Sequence, residues 1–210
     1  MKIIHSAPNG SCLFISLRLG LEYTVIVSMH AKSQCSLSQG ILDGNHPKVL
    51  YSAEELRNDI ILKWFENGLQ KPLGNGFELF EDKQWTRGDL LIMEASNVPQ
   101  LCSGDIPKQP EERLALQMKY LKYMNSSRGH KAWGGQPEYT AFAIIAKLTI
   151  EIWALESDGR FIKQHEFIPE ESTGKIKLLF SGSNHYDFLL DDEEAELIRK
   201  IMPQVKLKYN

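Results

Sequence analysis

Pro8-Asn9-Gly10-Ser11-Cys12-Leu13-Phe14-Ile15-Ser16-Leu17 joins a turn signal to the start of a helix. Proline fixes φ, while asparagine and glycine tolerate left-handed backbone, so the first four residues favour a tight turn. Leu13 and Leu17, with Phe14, then recur at helical spacing. Ser11 is the expected N-cap, which places Cys12 in the first helical turn. Unpaired N–H groups and the helix dipole favour a thiolate there, so the thiol pKa is expected to be lowered. The N–H groups from about Gly10 to Cys12 are also placed to bind an oxyanion. A cysteine in an apolar stretch is ordinarily a small buried hydrophobe, so placement carries the reading.

Outward from this turn, Tyr23 to Val27 fits either a continued helix or a buried segment. Residues 31 to 50 are polar, carry Gly40, Gly44 and Pro47, and read as a loop. Ser52-Ala53-Glu54-Glu55 has the form of a capping box, and Leu56, Ile60, Ile61, Trp64 and Phe65 follow at helical spacing. Gly68 is the expected helix end. Residues 66 to 110 are irregular apart from a short helix over Gly88 to Ala95. Pro110-Glu111-Glu112 opens a helix to about Asn125, and Glu138 to Lys147 is another. The last third predicts strands over Leu148 to Leu155, Phe161 to Ile168, Lys175 to Ser181 and His185 to Leu190. Asp158-Gly159 forms a hairpin turn between the first two. An acidic helix, Asp192 to Met202, ends the chain. Helices first and sheet late predict one α+β domain over 1–210, with a small, mostly antiparallel sheet.

His185 opens the last strand, and Asp187 lies two residues on. Side chains repeat with period two along a strand, so both point to one face. A carboxylate placed so holds an imidazole in one tautomer and stabilises its protonated form. His-x-Asp by itself also fits a surface pair on an edge strand. His30, His46, His130 and His165 have no such neighbour in a strand, and His5, just before the cysteine turn, is the one competitor.

The chain has 210 residues and a net charge of -3, which implies neither a polyanion partner nor a membrane-surface patch. No nucleic-acid or membrane partner is therefore expected, and a monomer is. Arg18 and Glu22 interrupt the apolar stretch Leu13 to Met29, so it reads as core. The three cysteines, Cys12, Cys35 and Cys102, show no Cys-x-x-Cys spacing. They read as neither a disulfide framework nor a zinc site and suit an intracellular, reducing compartment. Cys35 and Cys102 lie in polar loops without a helix-start signal.

Asn9-Gly10-Ser11-Cys12-Leu13-Phe14 resembles the cysteine motif of OTU (ovarian tumour) proteases, usually Asp-Gly-Asn-Cys-Leu-Phe. Trp133-Gly134-Gly135-Gln136-Pro137-Glu138 is similar to that family's Trp-Gly-Gly segment, in which a Glu opens a helix. Leu178-Leu179-Phe180 through His185-Tyr186-Asp187-Phe188-Leu189 resembles its His-Tyr-Asp/Asn strand. Leu56-Arg57 and Tyr120 to Met124 look like its intervening helices. The three motifs fall in family order and cover the chain nearly end to end.

The resemblance implies a papain-like cysteine protease fold and cleavage of isopeptide bonds after the C-terminal glycine of ubiquitin. Cys12 would be nucleophile, His185 general base and acid, and Asp187 the orienting third member, with no metal or organic cofactor. Trp133, Gly134 and Gly135 would line the channel for the substrate tail, where glycine lets backbone approach backbone. The implied partner is ubiquitin or a polyubiquitin chain, or a ubiquitin-like modifier. Rival readings are a polyprotein protease and a ubiquitin-binding pseudoenzyme. Position 9 departs from the family's usual Asp. Asn9 either completes the turn or donates its amide to the oxyanion or the loop. Residues 31–50 and 66–110 are expected to be lineage-specific insertions, a natural place to bind the body of ubiquitin.

Overall fold

The computed structural model describes residues 1–8, 10–33, 52–74, 84–102, 105–126, 132–182 and 185–201, with backbone alone for 29–33 and 201. Helix α1 (Cys12–Ser33) is long because no glycine or proline after Gly20 interrupts Leu21 to Ser33. It takes in residues 31 to 33, read from sequence as loop; 34–51 lie outside the described residues. Helix α2 (Ala53–Glu55) starts at the expected capping box. Ser52 Oγ accepts from Glu55 N, and Glu55 accepts from Ser52 N. It continues as a π-helix over Leu56–Leu62 and then as α3 (Lys63–Glu66).

Within the stretch read as mostly irregular stands α4 (Arg87–Ser96), opened by a second capping box between Thr86 and Asp89. Then come α5 (Pro110–Ser126) and α6 (Gln136–Ala146). The sheet strands are β1 (Lys2–Ile4), β2 (Thr149–Leu155), β3 (Phe161–Phe167), β4 (Lys175–Ser181) and β5 (His185–Leu190), and α7 (Asp192–Ile201) follows.

The architecture is α+β. The sheet runs β1-β5-β4-β2-β3, antiparallel except for the β2–β4 pair. The sequence gives no strand signal for Lys2–Ile4, because three residues are too few to show a period. Its partner supplies the structure: Lys2, Ile3 and Ile4 pair with Leu190, Leu189 and Phe188. This brings the N-terminus beside the strand that carries His185 and Asp187.

Helix α1 packs on β4 and β5, and its Leu13, Phe14 and Leu17 are fully buried. Gly20 allows the close approach; a Cβ there would lie 2.6 Å from Ile176 on β4. Arg57 is buried under the cysteine turn. Its guanidinium lies 5.1 Å from the Phe14 ring centroid and donates to the Ala132 carbonyl at 3.0 Å. One side chain therefore ties the π-helix to α1 and to the segment that enters α6.

Candidate active site

Cys12 is the first residue of α1, and the Ser11 carbonyl accepts the first helical bond, from Ile15 N, at 2.9 Å. The helix start meets β5 at one residue. Tyr186 N donates to Cys12 Sγ at 3.4 Å, and the Tyr186 carbonyl accepts from Ser16 Oγ at 3.0 Å. Strand β1 has ended by then, so two side chains one helical turn apart take the place of a ladder partner. Ser6 Oγ lies 2.6 Å from Ser16 Oγ. Since the Ser16 hydroxyl hydrogen is used on Tyr186, Ser6 is the donor of that pair.

His185 and Asp187 flank Tyr186 and share the other face of β5, as their period-two spacing requires. His185 Nε2 lies 3.0 Å from Asp187 Oδ1. This contact assigns the proton to Nε2 and leaves Nδ1 as the lone-pair nitrogen. Nδ1 is buried and makes no hydrogen bond among the described residues. Asp187 also accepts from Ser6 N at 2.7 Å, and its Oδ2 lies 3.2 Å from His5 Nδ1. Two histidines therefore meet one buried carboxylate.

The expectation of a lowered thiol pKa is overturned. Burial pushes the Cys12 thiol up, and the nearby Asp187 charge adds to the rise. Backbone N–H groups of Tyr186, Leu13 and Cys12 pull it down, as a helix start should. With Cys12 only 1% exposed, desolvation of the anion exceeds their effect. The thiol rests protonated at neutral pH.

The glycine segment closes on the same turn. A Cβ on Gly134 would lie 2.8 Å from Leu13 Cδ2 and 3.0 Å from Phe14 Cε2. On Gly135 it would lie 3.1 Å from a carboxylate oxygen of Glu94, on α4. Gly135 N donates to Glu138 Oε2 at 2.7 Å, and Tyr120 Oη donates to Glu138 Oε1 at 3.0 Å. Burial pushes the Glu138 carboxyl up to about 7, with Glu94 adding to the rise, although the Gly135 N–H and the Tyr120 hydroxyl hold it down. Trp133 is half-buried against the core.

The structure thus brings Cys12 and Tyr186 into contact, pairs His185 with Asp187, and sets Gly134 against the residues that follow Cys12. Gly10 is buried and Ser11 half-buried beside them. Asn9 lies outside the described residues. Ser6, Ser16 and Glu94 carry no motif of their own. Ser16 does stand one turn after Cys12, on the same helix face, and that spacing is a legible signal. Among the described residues no group of three or more His, Cys, Asp or Glu side chains is arranged to hold a metal ion, and no helix is long and apolar enough to cross a membrane.

The fold and site define a class: an α+β domain that sets a helix-start thiol against the strand bearing an imidazole–carboxylate pair. No protein-family model matches the chain, and no curated protein does. Solved structures similar to it include the OTU domain of OTUD1, 15% identical over 90% of this chain and 85% of that one, with a TM-score of 0.38. An OTU deubiquitinase from Wolbachia pipientis wMel is 16% identical over 94% of each chain, with a TM-score of 0.45. A structure of an OTU deubiquitinase from that organism bound to ubiquitin is 17% identical over 91% of this chain and 96% of that one, with a TM-score of 0.38. The chain resembles OTU domains in its motifs and in these structures. All three TM-scores lie below 0.5.

Proposed function

We propose that this domain is a thiol-dependent deubiquitinase of the OTU type, hydrolysing peptide and isopeptide bonds after the C-terminal glycine of ubiquitin. One observation carries the reading: Tyr186 N–H binds Cys12 Sγ, and the residues on either side of Tyr186 are the paired His185 and Asp187. Two other features support it. Gly134 packs on Leu13 and Phe14 in the first turn of α1, which sets the Trp133-Gly134-Gly135 segment, our proposed channel for the substrate tail, beside Cys12. The three motifs keep the family's order along the chain.

In the proposed reaction His185 Nδ1 takes the Cys12 proton as attack begins. The sulfur attacks the glycine carbonyl carbon, and the oxygen gains the charge. Helix-start N–H groups of α1 stabilise that oxyanion. Collapse breaks the C–N bond, and the lysine amine leaves with the proton from Nδ1. Water, deprotonated by the same nitrogen, then attacks the thioester; Cys12 recovers its proton and the glycine carboxylate departs. Asp187 stabilises the imidazolium in both halves. Because the resting thiol is protonated, base catalysis accompanies attack and no preformed ion pair is required.

The test is incubation with ubiquitin carrying a C-terminal electrophile, then digestion of a panel of di-ubiquitins, with Cys12→Ala as control. A covalent adduct and cleavage lost together in Cys12→Ala are expected. Binding of ubiquitin without an adduct or cleavage would make the domain a pseudoenzyme. An adduct in Cys12→Ala would move the nucleophile elsewhere.

A further inference from the structure

Strand β1 ends at Ile4, paired with Phe188. One further step of that antiparallel register sets His5 across from Asp187, and its ring turns onto the carboxylate. Asp187 is 3% exposed, so both of its oxygens need donors. Oδ1 takes the Ser6 N–H at 2.7 Å and faces His185 Nε2 at 3.0 Å. Oδ2 has His5 Nδ1 at 3.2 Å. Neither lysine nor arginine is among these contacts. The segment just after β1 thus holds both oxygens of the carboxylate, Oδ1 through Ser6 N–H and Oδ2 through His5, while Oδ1 also faces the ring it is to orient.

We propose that His5 is a positioning residue of the site, holding Oδ2 of Asp187 so that Oδ1 stays aimed at His185 Nε2. The inference rests on the thiol-hydrolase reading above. Without the His5 donor Oδ2 loses the contact that fixes it, and the carboxylate is free to turn about its Cβ–Cγ bond, carrying Oδ1 away from His185 Nε2. His185 then loses its fixed tautomer and tilt, which are what an orienting carboxylate supplies. His5 is not the base: its side chain is half-exposed, and its Nδ1 is engaged by Asp187. His185 keeps a lone-pair nitrogen inside the protein, beside the residue that binds the sulfur.

The experiment compares the full chain with His5→Leu, His5→Asn and His185→Ala. His5→Asn keeps a neutral N–H donor near the place of Nδ1. Because the His5 ring is half-exposed, neither change leaves a buried void, and thermal melts confirm folding. Turnover of a ubiquitin–coumarin amide gives kcat and KM, and iodoacetamide alkylation of Cys12 reports the thiol without substrate. In His5→Leu, kcat falls about tenfold and KM changes less than about twofold; His5→Asn recovers most of the loss; His185→Ala is inactive. Alkylation slows in the same rank order. Unchanged kcat in His5→Leu, equal loss in the two His5 variants, or a loss as complete as in His185→Ala would each overturn the proposal. If the parent chain does not cleave ubiquitin, the alkylation ranking still decides for or against His5, and only the substrate reading fails.

Discussion

Ser16 Oγ donates to the carbonyl of Tyr186, one helical turn from the Cys12 sulfur that accepts the same residue's N–H. These two bonds replace the ladder partner that β1 does not provide, and they fix the helix start against β5. In Ser16→Ala the Tyr186 carbonyl is left buried without its donor, and Ser6 loses its acceptor. A loss of about 1–2 kcal/mol in urea unfolding is expected. The turn bearing Cys12 loosens from β5, so turnover should fall further than the folded fraction does. Ser16→Thr, which keeps the hydroxyl, should retain most of both.

Gly134 and Gly135 are expected to respond differently to alanine. At Gly134 the new methyl meets Leu13 and the ring of Phe14, both fully buried, so relief requires the core to move. Overpacking of this kind costs about 1–3 kcal/mol. At Gly135 it meets the far end of a Glu94 side chain, which can swing aside. Gly134→Ala should therefore lower the melting temperature clearly, and Gly135→Ala only slightly. Under the proposed tail channel both should raise KM for ubiquitin substrates. A destabilised Gly134→Ala with unchanged KM would restrict that glycine to packing.

The two ends of the site were legible in sequence for different reasons. Cys12 follows a turn made of residues with a strong local preference, and its helix carries a clear apolar period. His185 and Asp187 obey the period of two, and strands β4 and β5 begin and end where the residue pattern places them. Strand β1 and its consequence were not legible, because Lys2-Ile3-Ile4 is a strand only by pairing with β5. The contact of His5 with Asp187 follows from that pairing. The direction of the thiol pKa is not legible for a related reason: a helix start is a local feature, whereas the burial of Cys12 depends on β5 arriving from the other end of the chain.

Alkylation of Cys12 should follow a titration midpoint above the ordinary thiol value of 9.0. Burial favours the neutral form, so the folded chain holds this proton to higher pH than the unfolded chain does. The linked stability is present below the unfolded pKa and is lost as pH rises through the folded value. Iodoacetamide rates measured against pH, with the urea-unfolded chain as reference, test this directly. A folded midpoint below the unfolded one would indicate a preformed thiolate, and base catalysis by His185 would not be required for attack.

Glu138 links the pH response of the fold to the glycine segment. Its carboxyl, pushed up to about 7 by burial, is protonated in the folded chain where the unfolded chain has already released the proton. Between its ordinary value of 4.5 and about 7 the native state binds the extra proton, so stability falls as pH rises. The whole effect is at most about 3 kcal/mol. In Glu138→Gln the amide oxygen can still accept from Gly135 N, and the Tyr120 hydroxyl can rotate to accept from the amide nitrogen. The pH slope of the melting temperature should therefore flatten over this interval. Glu94, which burial also pushes up, should keep a smaller slope in place. Glu138→Ala removes both acceptors and leaves Gly135 N–H and Tyr120 Oη without partners in the interior, so it should destabilise the domain at every pH. An unchanged slope in Glu138→Gln would show that the proton is not carried by this residue. Its role would then reduce to capping α6 at the turn that sets Gly134 against Leu13.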